Sequence, residues 1–396
     1  MSEDLVFSIL LWLPVMSLLR FKSVCKLWRD IIESSTFIYQ HLHHHNTKKN
    51  GNGKIIHRHC SPSTGDYQGK YLSLSGDNFD VSINLDFDQH HWYPPYQLSL
   101  LHSCNGIICL TNLSTREVAL WNPATRKFRR LVESPIPRQH FVSAAFGFDV
   151  KSMDYKVVRI ILFDYNILDN QVEVYSLATD SWRIIHRNIV FPVTAFRGRD
   201  PKNPRIVWKG KCFWFGSGPR PDMLLSFDLG DEVFGSMPLP ENYKCNSPGF
   251  TSSFLLDSLH DKLALITVIA DPSVILPYNF PHIPPYEFHN ANCHFEIWVL
   301  QEYGVKESWV KLYTIGPLDY LLPARFSKNE EFLFFTKYTP EDIDGKLCLY
   351  NLFTQEVKIL SAEEAYWREV EFIPYDESLV SINGGNCAAN RTSCSV

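Results

Sequence analysis

An aromatic residue, a turn-forming string and a second aromatic seven residues on recur along most of this chain. Trp121-Asn-Pro-Ala-Thr-Arg-Lys-Phe128 sets the form, and Tyr175 to Trp182 and Phe227 to Phe234 repeat it. Tyr350 to Val357 closes the phrase with valine, and a longer version runs from Trp298 through Gln301 and Glu307 to Trp309. The leading aromatics stand at 121, 175, 227, 298 and 350, which makes the intervals 54, 52, 71 and 52 residues. Each phrase reads as a hairpin. Asn, Asp, Gly and Thr supply the turn, and the flanking aromatics suit packing between neighbouring sheets. Other apolar runs lie ahead of the hairpins, at residues 106–110, 155–161, 211–215 and 263–266.

A period near fifty with several short strands per unit predicts the blades of a β-propeller, about six of them. The units are kelch-like in length, although the paired glycines of the usual kelch signature are absent. An irregular β-sandwich is the alternative. The long interval between Phe234 and Trp298 holds a proline- and aromatic-rich stretch, Asp271 to Asn292, expected as an insertion on one face. The alternating segment from Glu369 to Ile382 is placed to complete the first blade and close the ring. Residues 55–383 are thus expected to form one all-β domain, with 384–396 a frayed tail.

The first forty-five residues differ in pattern. Ser2 can cap a helix whose first turn carries Glu3 and Asp4, and Leu5, Ile9 and Leu13 recur at helical spacing, widened by Val6 and Leu10. Pro14 stops that helix and suits the start of a second through Leu18 and Phe21. A third places Val24, Trp28 and Ile31 or Ile32 on one face. Three short helices bury little by themselves, so a helical partner is expected to cover part of their apolar surface. Read instead as a secretory signal, the stretch has acidic rather than basic leading residues, an interrupting Pro14 and no small-residue cleavage site before Arg20 and Lys22. It is too short and broken to span a bilayer. His43-His44-His45 and the polar run to Lys54 read as a solvated linker, assigned to residues 46–54, rather than a metal site, because no matching Cys/His pair follows.

Composition narrows the rest. Hydrophobic residues at 45% and aromatics at 14% can fill a large core, which excludes wholesale disorder in a 396-residue chain. A net charge of −5 argues against nucleic acid or an acidic membrane as the main partner. Ten cysteines without a dense framework or a CxxC pair fit reduced thiols, hence a cytoplasmic or nuclear protein. Cys104 and Cys109 would fall on opposite faces of one strand.

The N-terminal run Asp4-Leu5-Val6, Ile9-Leu10, Leu13-Pro14, Ser17-Leu18-Leu19-Arg20-Phe21-Lys22, Val24-Cys25-Lys26 and Trp28 resembles a plant F-box. That resemblance implies docking on a Skp1-like adaptor and, through it, on a cullin-based ubiquitin ligase. Leu5, Ile9, Leu13, Pro14, Leu18, Val24, Cys25 and Trp28 are then expected to hold or form the Skp1-facing surface. Met1-Ser2 stands where F-boxes usually carry Leu-Pro, a departure from the family pattern at the place where that pair would make its contact. The body resembles the plant F-box-associated domain at Cys104-Asn-Gly-Ile-Ile-Cys-Leu110, Trp121-Asn-Pro-Ala-Thr-Arg126, Phe146-Gly-Phe-Asp149, Asp154 to Arg159, Val172 to Ser176 and Asp180-Ser-Trp-Arg183. Leu225 to Leu229, Glu296 to Leu300 and Glu307 to Trp309 add to it. Glu33 to Ile38 and Gln301 to Trp309 are most similar to S-locus F-box proteins and their S-locus-like relatives, which implies S-RNases as targets.

No GxSxG elbow, P-loop, HExxH or GxGxxG occurs. Asp149 and Asp154 sit in turn-forming strings, and Arg126, Arg129 and Arg130 read as a solvated strand edge. The expectation is a non-catalytic adaptor without cofactor or metal: a three-helix F-box followed by a kelch-like propeller that binds a protein substrate, with neither nucleic acid nor membrane as partner. A propeller enzyme or a ubiquitin-independent scaffold is the alternative.

Overall fold

The computed structural model describes residues 2–47, 53–61, 66–77, 79–85, 98–112, 115–136, 141–162, 170–186, 195–196, 206–217, 223–240, 254–270, 292–319, 321–337, 346–360 and 371–383. The N-terminal module has four helices, not the three expected: α1 (Glu3–Leu10), α2 (Val15–Phe21), α3 (Lys26–Glu33) and α4 (Ser35–Thr47). Ser2 caps α1 as the sequence predicts, its Oγ accepting the Leu5 N–H at 3.4 Å. Pro14 stands at the N-terminal boundary of α2. Ser34 starts α4 in the same way, accepting the Phe37 N–H at 3.2 Å.

α4 runs through the histidines read as solvated and two residues into the assigned linker, and its inner face explains why. Phe37 meets Phe7 edge-on with ring centres 5.2 Å apart, and His41 donates from Nε2 to the Leu13 carbonyl at 2.9 Å. His44 packs edge-on against Trp12, and His43 lies against Tyr39. These histidines support a helix rather than a solvated connector.

Behind the helices stand six antiparallel sheets. Blade 1 combines Lys54–Ser61, Asp66–Ser75 and Val81–Leu85 with the C-terminal strand Glu371–Tyr375, whose Ile373 pairs with Ile56. The end of the chain therefore supplies the inner strand of the first blade, as its alternating pattern predicts. Blade 2 spans Leu98–Cys104 to Lys127–Arg130 and blade 3 spans Phe141–Asp149 to Ser181–His186. Blade 4 spans Ala195–Phe196 to Phe234–Pro238, blade 5 spans Phe254–Leu259 to Trp309–Asp319, and blade 6 spans Leu321–Phe326 to Val357–Ile359.

The core is divided rather than central. One apolar layer lies between each pair of neighbouring blades, for example Trp214, Leu225 and Phe227 of blade 4 against Val158 and Val174 of blade 3. Strands covered on both faces need no alternation, which is why Ile107-Ile108-Cys109-Leu110 is apolar throughout and wholly buried.

The recurring phrase is the outer hairpin of a blade. Trp121 pairs with Phe128, Tyr175 with Trp182, Phe227 with Phe234 and Tyr350 with Val357. In blade 5 the register corrects the sequence reading: Leu300, not Trp298, stands opposite Trp309, and Trp298 pairs with Lys311. In the four shorter hairpins one turn position has a positive φ, at Arg126, Asp180, Glu232 and Gln355. The residue after the leading aromatic braces the turn. Asp228 Oδ1 accepts the N–H groups of Gly230 and Asp231, and Asn351 Oδ1 those of Phe353 and Thr354, all at 2.8–2.9 Å. That side-chain oxygen replaces the partners the backbone loses where it reverses, so the phrase survives without paired glycines.

Cys104 and Cys109 lie on successive strands separated by the Asn105-Gly106 turn, not on one strand. The proline-rich stretch expected as an insertion lies, apart from Asn292, outside the described residues, as does the tail from 384.

Candidate docking face and the propeller that carries it

The helices divide their apolar residues between two directions. Val6, Leu10, Val15, Leu18, Ile31, Ile32 and Phe37 form the module's core, together with Ala124 and Leu379 of the propeller. Leu5 and Ile9, one turn apart on α1, are about half exposed at 52% and 48%, and Val24 is 59% exposed. Pro14 and Cys25 are also exposed. Leu13 and Trp28 are partly buried against the core, with Trp28 packed on Phe21, and Leu18 is fully buried. Of the eight residues picked from sequence, Leu5, Ile9, Pro14, Val24 and Cys25 therefore face outward, and Leu18 can act on a partner through the core alone.

Sequence reasoning missed Trp12, exposed at 61%, as well as Met16 and Leu27. A usable signal was present for Met16, which is apolar but lies off the Val15 and Leu18 stripe of its own helix; Trp12 stands in the turn between α1 and α2, and Leu27, four residues before the buried Ile31, gave no such signal. Such large apolar groups on a small module leave a surface suited to a protein partner.

The module sits on one face of the ring. That face carries the turns joining the first to the second strand and the third to the fourth strand of the blades, and polar contacts run from turn to turn around it. Asn105 Nδ2 donates to the Tyr155 hydroxyl at 3.1 Å, and Lys151 pairs with Asp231. Trp208 Nε1 donates to the Asp261 carbonyl at 3.2 Å, and the His260 N–H donates to Glu330 Oε1 at 2.6 Å. Lys328 pairs with Asp376 at 2.6 Å, and Ser378 Oγ donates back to the Asn105 carbonyl at 2.6 Å, which completes the circuit.

The carboxylates read from sequence as lying in turn-forming strings brace the turns of blade 3 on this same face. Asp149 accepts the Lys151 N–H at 2.8 Å and the Ser152 hydroxyl at 2.5 Å, and Asp154 accepts the Ala178 N–H at 2.9 Å. Asp149 also meets the nearly buried Lys156 ammonium at 2.7 Å. Lys156 donates in addition to Glu232 of blade 4 at 2.9 Å and to the Leu229 carbonyl at 2.8 Å. Burial alone would raise the Asp149 carboxyl, but hydrogen bonds from Lys156, Ser152 and the Lys151 N–H, with the Lys156 charge, hold it below the usual carboxylate range. Arg129 departs from the solvated-edge reading: it donates to the Ile382 carbonyl at 3.1 Å and pairs with Asp180 of blade 3 at 2.5 Å.

Two other groups in blade 2 are neutral near pH 7. Burial, helped by the Arg325 charge, lowers His102 to about 3, and burial raises the Cys104 thiol to about 12. Among the described residues no group of three or more His, Cys, Asp and Glu side chains is disposed to hold a metal ion. No described helix is long and apolar enough to cross a membrane.

A small helical module with an outward apolar face, seated on a closed six-bladed propeller, defines a two-domain protein with a docking end and a broad β body. The F-box-associated β-propeller domain matches residues 70–382 and the F-box domain matches residues 1–39, and the chain belongs to the F-box-associated β-propeller family. Relatives include the Arabidopsis thaliana F-box/kelch-repeat protein At3g44120, 26% identical over 80% of this chain and 77% of its own length. The Arabidopsis F-box protein CPR1 is 23% identical over 91% of this chain and 84% of its own. Among solved structures, a chain of the nidogen/laminin complex overlays with a TM-score of 0.43 at 10% identity, over 81% of this chain and 98% of that one.

Proposed function

We propose that this chain is the substrate-recognition subunit of an SCF-type ubiquitin ligase. The F-box docks on a Skp1-like adaptor, and through it a cullin, while the propeller holds a protein for ubiquitin transfer by other subunits. The chain itself does no chemistry and takes no cofactor, and it works in the cytoplasm or nucleus. The observation that carries this reading is the outward apolar set Leu5, Ile9, Trp12, Val24 and Leu27 on a module whose core is completed on its inner side by Ala124 and Leu379 of the propeller.

Because the F-box occupies the face of short turns, the target surface is assigned to the opposite face. The strand ends Ala270 and Asn292, which flank the proline-rich stretch, fall there. The S-locus resemblance of residues 33–38 and 301–309 makes an S-RNase in pollen the first target to test.

The direct experiment is co-purification of the full chain with a plant Skp1-type adaptor. Stoichiometric capture is expected, with loss in Ile9→Asp while the propeller keeps its β-sheet circular dichroism. Absence of capture by the intact chain would overturn the reading in favour of a scaffold outside the ubiquitin system.

A further inference from the structure

The segment that leaves the last strand, residues 376–382, touches more of the molecule than any connector requires. Asp376 pairs with Lys328 of blade 6, and Glu377 pairs with Lys54 of blade 1 at 2.5 Å. The Ser378 carbonyl accepts from Asn122 Nδ2 at 3.1 Å and the Val380 carbonyl accepts from the same nitrogen at 2.9 Å, both contacts being buried. The Ile382 carbonyl accepts from Arg129. The side chains alternate between two layers. Leu379 enters the helical core beside Phe37 and Leu18, whereas Val380 and Ile382 join Leu42 of α4, Leu101 and Ile107 in the layer between blades 2 and 3. Gly106, at φ +77°, lets the blade 2 turn approach so closely that a Cβ there would collide with Ser378 and the Asp376 carbonyl.

We propose that residues 376–382 are a positioning strap that locks the F-box onto the propeller, so that the F-box is ordered when the C-terminal strand has closed the ring. Two physical facts require it. A helical unit of some forty-five residues lacks the core to stand alone, and this one borrows Leu379 and Ala124 from the β domain. Leu379 is in turn held by a backbone whose carbonyls are occupied by Asn122 and Arg129 of blade 2. Docking end and β body are therefore joined through the last described residues of the chain as well as through its N-terminal connection. In a ligase, a reading taken from the section above, the strap would set which target lysines come within reach of the transferred ubiquitin.

Hydrogen exchange read by mass spectrometry tests the strap independently of any ligase activity. Three forms of the full protein are compared with wild type: truncation after Asn383, truncation after Asp376, and Asn122→Asp. The last keeps the acceptor that braces its own turn through the Thr125 N–H but replaces the two donated hydrogen bonds with a repelling carboxylate. Truncation after Asn383 is expected to change nothing. Truncation after Asp376 should speed exchange in α1 to α4 at least tenfold, while strands of blades 4 and 5 such as residues 263–267 stay protected. Asn122→Asp should give the same pattern at smaller amplitude. Wild-type protection of the helices in both strap variants would overturn the proposal. So would equal loss of protection in blades 4 and 5, which would show ring collapse rather than an uncoupled F-box. Adaptor capture is scored separately, so a protein that fails to bind an adaptor can still show the strap.

Discussion

Replacing Lys156 with methionine removes the charge that joins blades 3 and 4 while keeping most of the side chain's volume. The ammonium is 7% exposed and meets three oxygens, of Asp149, Glu232 and Leu229, within 2.7–2.9 Å. Removing one partner of a buried ion pair costs about 3–5 kcal/mol, because the charge left behind has lost its compensation. The lower end applies here, since Asp149 retains the Lys151 and Ser152 donors and Glu232 retains Arg183. About 3 kcal/mol corresponds to roughly a hundredfold change in the unfolding equilibrium, which urea titration resolves.

The pH dependence separates this account from a simple packing loss. In the wild type, burial pushes the Glu232 carboxyl up, but hydrogen bonds and charge from Arg183 and Lys156 bring it below its usual value, as with Asp149. A carboxylate depressed in the folded state contributes stability above its unfolded pKa, about 4, and loses it as pH falls through the lower folded value. For Lys156, burial opposes the charge, but bonding to Asp149 and Glu232 raises its pKa overall. Its contribution is therefore complete below the ordinary lysine value and is lost only in strong alkali. Without the ammonium, Asp149 loses two of the influences that hold its carboxyl down, so that carboxyl rises from its wild-type position and the variant recovers relative stability as it protonates. The expected deficit is about 3 kcal/mol at pH 7 and clearly smaller at pH 4.5. A deficit under 1 kcal/mol at pH 7, or one unchanged at pH 4.5, would refute the reasoning.

Two further tests address the docking module. Trp12→Ala should weaken adaptor capture with little effect on thermal unfolding, whereas Leu18→Ala should cost about 2–5 kcal/mol of stability through the cavity it opens; the reverse ranking in a paired pull-down and melting experiment would misplace the face. Alkylation followed by peptide mapping should modify exposed Cys25 well before Cys104, Cys212 and Cys348, whose thiols burial raises. Bound adaptor should then protect Cys25, and unchanged labelling would place docking elsewhere.

Much of the propeller was legible because its repeat is local. The six residues between the leading and closing positions of the phrase can be read without knowing what they pack against, and the period of the phrase fixes a blade. Where that locality failed, the reading slipped. In blade 5 the wider Gln301–Ser308 turn moved the register by two, so that Trp298 looked like the hairpin's leading aromatic when Leu300 holds that place. α4 was missed for a related reason. Histidine is a modest helix former, and the Phe37, Ile38, His41 and Leu42 stripe makes sense once the Leu13 carbonyl and the blade 2–blade 3 layer lie opposite it.

By itself the sequence determined the elements: helices from apolar spacing and caps, outer hairpins from turn chemistry, closure from the alternation of the last segment. Tertiary structure decided which side of each helix is free. Leu5 and Leu18 are chemically equivalent in a sequence, yet one is half exposed and the other a core residue, packed in a cluster that Ala124 and Leu379 reach from more than a hundred positions away. It likewise turned Lys156 from a strand residue into an interblade tie and residues 376–382 from a trailing end into a joint. Burial and charge pairing depend on distances that chain order does not encode, and those distances exist only once the ring has closed.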